Sequence, residues 1–220
     1  EMCIRDSLYH TFGKVQTNLL VEGFYTILDD VFALRDMDDA ADGGKVKERY
    51  NGSGATVRGF NVEGRAAFTR WFELQAGVTL QQSRYKEPEF WSEDAEVPPV
   101  RRMFRTPDAY GYFTASFKPV RNFTADLSGT CTGSMLVQHM AGSGVAQDVA
   151  VSTPSFFDMN IRLSYDVRIY KEITMQLYGG VQNLFNAYQK DFDKGVDRDS
   201  GYIYGPSLPR SWFVGAKFSF

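Results

Sequence analysis

The sequence predicts an all-β protein, an antiparallel meander of about eight strands that forms part of a transmembrane β-barrel. Three observations carry this. Apolar and polar residues alternate with period two over segments of ten residues and more; the connections alternate between tight and long; and aromatic residues gather beside the tight ones.

The last segment, residues 208–220, is the clearest. Trp212, Val214, Ala216, Phe218 and Phe220 share one face, and Ser211, Phe213, Gly215, Lys217 and Ser219 the other. In residues 122–133, Phe123, Ala125, Leu127, Gly129 and Cys131 oppose Thr124, Asp126, Ser128, Thr130 and Thr132. Residues 155–167 and 172–185 repeat the pattern, and 15–28, 56–69, 72–84 and 109–118 complete the eight. Such lengths exceed an ordinary strand of about 5–6 residues and suit a tilted strand crossing a bilayer, about 9–11 residues.

Tight connections fall at Arg70-Trp71, 118–121 and 168–171. Long polar ones span 29–55, 85–108, 134–154 and 186–207. A soluble β-sandwich has no reason to segregate its long loops at one end, whereas outer-membrane barrels do. Trp71, Phe72, Phe117, Phe123, Tyr165, Tyr170, Phe218 and Phe220 lie towards the tight-turn end, as an interfacial girdle requires.

Composition agrees. The 220 residues are 43% hydrophobic and 15% aromatic, with a mean hydropathy of −0.32. No run of about 18 apolar residues exists, which excludes a transmembrane helix but not a barrel, whose strands alternate. The net charge of −3 and the lack of a basic stripe argue against nucleic acid as a partner. Cys3 and Cys131 make no disulfide framework, and Cys131 reads as a small apolar residue on a lipid-facing strand. The run from Met2 to Ser7 resembles the in-frame translation of a transposase adapter used in sequencing libraries. Residues 1–7 are therefore expected to be non-native, with the natural N-terminus missing, and residues 8–220 to form the barrel segment.

Four local patterns resemble the barrel of TonB-dependent receptors. Gly59-Phe60-Asn61-Val62-Glu63-Gly64 leads into the turn at Arg70-Trp71-Phe72-Glu73-Leu74, and Arg105-Thr106-Pro107 opens a strand after a long loop. Val181-Gln182-Asn183-Leu184-Phe185-Asn186 is similar to the family's element near the top of the penultimate strand, and Pro209-Arg210-Ser211-Trp212-Phe213-Val214-Gly215 runs into the terminal Phe220. The resemblance spans most of residues 15–220. It implies a larger plugged barrel of about 22 strands, of which this chain holds the C-terminal part; the tail at Leu8-Tyr9-His10-Thr11-Phe12 reads as one more strand. It also implies uptake of a scarce ligand across the outer membrane, a ferric siderophore or related chelate before haem, cobalamin or an oligosaccharide. The implied partners are outer-membrane lipid, the small-molecule ligand, the barrel-insertion machinery reading Phe220, and TonB through an N-terminal part that this sequence lacks.

The loops hold the candidate chemistry. Asp29, Asp30, Asp36, Asp38, Asp39 and Asp42 could suit a hard cation but lack a regular ligand spacing, so a solvated loop is expected. Phe90, Trp91, Pro98, Pro99, Arg101, Arg102 and Arg105 mix aromatic and cationic groups suited to an anionic ligand. His139 with Met135 and Met140 could meet haem or a soft metal. Trp91, Arg101, Arg102 and His139 are the expected ligand contacts, with no cofactor and no catalytic residue. Only His10 and His139 could serve a hydrolase as base, and neither sits in a nucleophile constellation, so an enzyme is not expected. The alternative is a complete eight-stranded barrel with a structural or adhesion role, which requires residues 15–28 to pair with 208–220.

Overall fold

The computed structural model describes residues 2–30, 32–37, 46–206 and 208–219, with 32–37 and 46–48 at backbone level. In chain order the strands are β1 (Met2–Phe12), β2 (Val15–Leu28), β3 (Phe32–Met37), β4 (Val46–Asn51), β5 (Ala55–Thr69), β6 (Phe72–Glu89), β7 (Val100–Arg102), β8 (Ala109–Val120), β9 (Phe123–Thr132), β10 (Leu136–His139), β11 (Val149–Ser152), β12 (Phe156–Tyr170), β13 (Ile173–Gln182) and β14 (Ser211–Ser219). Among the described residues there is no helix.

The long strands form one antiparallel meander in the order β1-β2-β5-β6-β8-β9-β12-β13-β14, with β7 added to β6. Sequence neighbours pair throughout, as the alternation of short and long connections predicts. All eight expected strands are present and β1 is the ninth. Its first half, Met2–Ser7, pairs in continuous register with β2. Both edges of β2 are occupied, by β1 and β5, so the β2–β14 pairing that a closed eight-stranded barrel needs does not form.

Tight turns at Gly13-Lys14, Arg70-Trp71, Arg121-Asn122 and Lys171-Glu172 lie at one rim, and the four long loops leave the other. Three loops contain strands that the sequence pattern did not reveal: the β3–β4 hairpin, β7, and the β10–β11 hairpin. Two boundaries also differ. β6 runs on to Glu89 instead of ending at Arg84, because β7 pairs with its upper end. β13 stops at Gln182 rather than Phe185, because Asn183 turns left-handed at φ 50°.

Register divides the sheet into two chemically distinct faces. Directly paired residues share a face. One face carries Val21–Val62–Val78, Ala115–Leu127–Ile161, Tyr165–Leu177–Ala216 and Val181–Trp212. Trp212 is 77% and Val214 90% exposed on it, a degree of apolar exposure that suits a lipid solvent rather than water. The opposite face carries Asn61–Thr79, Gln75–Thr114–Ser128–Asn160 and Asp166–Gln176–Lys217. Its polar groups satisfy one another: Ser116 Oγ donates to Asp126 Oδ1 at 2.7 Å, Gln176 Nε2 to Asp166 Oδ1 at 2.9 Å, and Thr79 Oγ1 to Asn61 Oδ1 at 3.1 Å. A hydrated or polar-filled lumen is the environment this face fits. Asp6 interrupts the apolar row at Val21, which it lies opposite, and towards the long-loop rim Arg58, Gln82 and Arg84 also stand on the apolar face.

Aromatic residues serve both faces. At the tight-turn rim Trp71 meets Phe117 edge-on at 5.0 Å, and Phe68 stacks on Phe72 at 5.4 Å. Inside the strands, glycines make room for rings on the paired strand. A Cβ on Gly129 would come within 2.3 Å of the Phe113 ring, and one on Gly215 within 2.5 Å of Tyr178. Both pairs are directly opposed in register, so each ring lies over bare backbone and covers it.

Candidate functional site

Over the long-loop rim, the second, third and fourth loops pack into one body. Its apolar centre is Val137, Tyr202 and Tyr204, all buried, with Met135, Val151 and Phe156 against them. Val137 comes from β10 and Val151 from β11, so the hairpin exists to present this face to the fourth loop.

A polar network surrounds that centre. His139 is buried and its ring lies flat on Tyr202, with centroids 3.7 Å apart and planes 4° apart. His139 Nε2 is 3.0 Å from Asp193 Oδ1. The other Asp193 oxygen accepts from the Asp199 N–H at 3.1 Å, and Asp199 in turn accepts from the Met140 N–H at 2.8 Å. The Asp199 N–H bond, opposed by burial and helped by His139, holds the Asp193 carboxyl below the ordinary carboxylate range. Asp191 accepts from both tyrosine hydroxyls, Tyr202 at 2.7 Å and Tyr204 at 2.5 Å. Burial alone would raise Asp191, but the bonds from Tyr204 and Tyr202 outweigh it and hold the carboxyl low. Burial, together with the hydrogen bond to Asp191, pushes the Tyr204 hydroxyl up to about 12 and Tyr202 still higher. Gln189, 1% exposed, donates to the Tyr202 carbonyl and accepts from the Tyr204 N–H, which fixes the backbone carrying both rings.

The second loop is tied in by cations and a hydroxyl. Arg105, at φ 55°, donates through Nη1 to the Ile203 carbonyl at 2.9 Å and through Nη2 to the Gly201 carbonyl. Arg102 donates through Nη2 to the Ser134 carbonyl at 2.7 Å and pairs with Asp108 at 3.0 Å, while its buried Nε has no partner among the described residues. Ser92 Oγ donates to Asp148 Oδ2 at 2.6 Å.

The expected ligand contacts therefore part ways. Arg101 is exposed and, among the described residues, its side chain reaches the Lys86 carbonyl alone, at 3.4 Å. Trp91 is half-buried, edge-on to Phe104 at 5.3 Å, with Nε1 directed at the Pro98 carbonyl. Arg102 and His139 face other loops, and nothing brings the four together. His139 has its Nε2 on Asp193, Met135 packs in the apolar centre, and Met140 is exposed. Phe220, Asp38, Asp39 and Asp42 lie outside the described residues. Among the described residues no group of three or more His, Cys, Asp or Glu is placed to hold a metal ion.

Beneath the fourth loop, on the polar face, two adjoining clefts of about 450 and 230 Å³ share Asp158, Gly205 and Pro206. Asn160 and Gln182 line the larger, and Thr130 and Thr132 the smaller. Asp158 Oδ1 is buried and has no hydrogen-bond partner among the described residues, which leaves a strong acceptor at the cleft. Asn183 stands beside it, 2% exposed. Its N–H donates to Asn160 Oδ1, its Nδ2 to the Ala187 and Leu208 carbonyls, and its Oδ1 accepts from the Ala187 N–H. Sequence reasoning passed over Asp158, Asp191, Asp193 and the two tyrosines; the one local signal was the density of Asp and Tyr in the fourth loop.

No protein-family model matches the sequence, and no curated protein matches it. Solved structures match over nearly the whole chain. The ferric-catecholate import receptor Fiu from Escherichia coli K12 superposes with a TM-score of 0.60 at 19% identity, over 97% of this chain and 27% of its own. The copper transporter OprC gives 0.61 at 14%, over 99% and 31%. The ferric enterobactin receptor PfeA from Pseudomonas aeruginosa gives 0.58 at 13%, over 97% and 30%. The chain thus spans roughly a quarter to a third of the length of the structures it matches. At these identities the likeness concerns fold, and it agrees with the meander, the two faces and the segregated loops: the chain has the fold of a segment of the outer-membrane β-barrel of TonB-dependent receptors.

Proposed function

We propose that this chain forms part of the barrel wall and extracellular vestibule of an outer-membrane receptor that takes up a scarce ligand, driven through TonB by a part of the protein outside this sequence. The ligand class the reading favours is a ferric siderophore or a related metal chelate. The observation that carries it is the loop body: three long loops are locked together over polar clefts on the inward face, an investment a bare structural barrel does not need. Arg101 offers an exposed cation and Trp91 an aromatic edge to an anionic chelate, while Arg102 and His139 hold the loops that surround it. Phe220 is the terminal aromatic that the barrel-insertion machinery would read. The occupied edges of β2 leave the small closed barrel unsupported.

Uptake of a labelled ferric siderophore by cells carrying the complete receptor tests this reading. Uptake should vanish in a strain without TonB, and uptake that persists there overturns it. Replacing Arg101 and Arg102 together with Ala should weaken capture of an anionic chelate by about 1–3 kcal/mol; no change removes both from the site.

A further inference from the structure

We propose that the outward face of β5 and β6 binds a phosphate-bearing lipid of the outer leaflet, with Arg58 and Arg84 on its phosphate and the apolar groove beside them on its acyl chain. The inference rests on the reading that the apolar face meets the membrane and the long loops face outward.

The register places both arginines. Arg58 alternates with Phe60 and Val62, and Arg84 with Leu80 and Val78, so both arginines stand on the lipid-facing side. Phe60 is 66% and Leu80 55% exposed there. Arg58 and Arg84 rise from the Arg70-Trp71 turn on strands that advance about 3.3 Å per residue and tilt by about 35–45°, which puts both roughly 30 Å above that turn. An apolar band about 25 Å tall ends just below that height. Arg84 pairs in register with Thr56, two residues from Arg58, so the two are diagonal neighbours on adjacent strands, about 7–8 Å apart.

Neither cation is neutralised. Arg58 donates through Nε and Nη2 to the neutral Gln82 Oε1, at 3.1 and 2.7 Å. The Arg84 side chain is exposed and has no hydrogen-bond or ion-pair partner among the described residues. The neighbouring charges are already matched, Lys86 with Asp29 and Arg102 with Asp108. Two unpaired guanidinium groups side by side repel each other unless an anion lies between them, and a phosphate takes two such forks with good geometry.

The second observation is the groove. A cleft of about 560 Å³ runs along the same face, lined by Gly23, Tyr25, Phe60 and Leu80, with Arg58, Gln82 and Asp108, the last already paired with Arg102, among its polar lining. Gly23 supplies the low floor, since it presents no side chain between Tyr25 and Phe60. Met2 and Ile4 of β1 also line it. An apolar groove that Arg58 lines, with Arg84 diagonal to it, fits an anionic lipid and not a soluble anion, which would leave the groove unused.

The experiment uses the complete receptor containing this chain, purified in detergent. It is mixed with lipid A carrying both phosphates or with the dephosphorylated lipid, and bound lipid is read by native mass spectrometry. The phosphorylated form should be retained at least tenfold more strongly. Arg58→Gln with Arg84→Gln should abolish that preference, whereas Arg65→Gln, on the inward face, should keep it. Arg84→Gln alone removes no native contact and should still weaken the preference, so a folding defect in the double variant does not leave the matter open. Equal retention of the two lipids, or an unchanged preference in both Arg84 variants, overturns the proposal. Uptake is measured alongside: lost TonB dependence with preserved lipid preference would sink the functional reading and leave the lipid site standing.

Discussion

His139 and Tyr202 lie face to face, ring centroids 3.7 Å apart, and this stack is the point where the third loop is fastened to the fourth. The imidazole edge meets Asp193 while its face covers a phenol that is itself bonded to Asp191, so one side chain joins two carboxylate networks. Replacing His139 with Ala should release the β10–β11 hairpin from the fourth loop. On intact cells carrying the complete receptor, protease should then cut these loops several-fold faster than in the parent, with no change at the tight turns. An unchanged cleavage rate would show that the apolar centre alone holds the loops.

Acid and alkali should each loosen the same body, for opposite reasons. Asp191 and Asp193 have carboxyls held below their ordinary range. Their contribution is complete above the unfolded carboxylate value of about 4 and is lost as pH falls from there through the lower folded values. Tyr204 is raised from 10.0 to about 12. Its contribution is complete below the ordinary phenol value of about 10 and is lost as pH climbs from there towards about 12. Protection of the fourth-loop amides, taken relative to the intrinsic base-catalysed exchange rate at each pH, should therefore be greatest between about pH 5 and 9 and fall on both sides. Tyr204→Phe should remove the phenol that titrates near 12.

The long strands were legible because each must alternate to stand between lipid and lumen, which writes period two into the sequence over ten residues and more. What was not legible is what depends on contacts between loops. Val149-Ala150-Val151 is too short a run to declare itself a strand, and it becomes β11 only because Leu136-Val137-Gln138-His139 pairs with it. His139 was singled out by its chemistry alone; its partner is 54 residues away, a separation no local pattern encodes. The glycine–aromatic pairs escaped for the same reason, since Gly129 and Phe113 meet only across the β8–β9 register. Asn183 belongs to the receptor-like string at 181–186, yet its role, ending β13 and fixing Ala187 and Leu208, follows from its left-handed backbone and burial.

Asn183→Ala should strand several of those partners at once. Leaving buried donors and acceptors unpaired costs about 1–3 kcal/mol, and Ala is also a poorer occupant than Asn of a positive φ. Asn183→Gly would relieve the backbone but not restore the bonds. Thermal unfolding of the complete barrel should place Gly between Asn and Ala; equal stability of Asn and Ala would deny the capping role.

The glycine–aromatic pairs predict a strongly position-dependent response to added volume. At Gly129 a Cβ already collides with the Phe113 ring, whereas at Gly64 nothing lies within 4 Å. Gly129→Val should cost about 1–3 kcal/mol through displacement of that ring, and Gly64→Val should be close to neutral. The shift of the heat-modified band on an electrophoresis gel would separate them, and equal tolerance would argue that Phe113 swings aside freely.

Which face meets lipid is decided by placing a charge on each. Val214 stands on the apolar face, flanked in its row by Gly179 and Leu163, and is 90% exposed. An arginine there must reach water across hydrocarbon or force the bilayer to deform, at a cost of about 2–4 kcal/mol near the midplane. Thr130 is exposed on the opposite face, among polar neighbours that already include Asp158, its partner in register. Thr130→Arg gains a nearby carboxylate and keeps its access to a hydrated interior. Val214→Arg should therefore lower the yield of the complete receptor inserted in the outer membrane, while Thr130→Arg leaves it near the parent level. The reverse ranking would turn the sheet inside out, and with it both the assignment of the polar clefts to the ligand path and of Arg58 and Arg84 to the lipid.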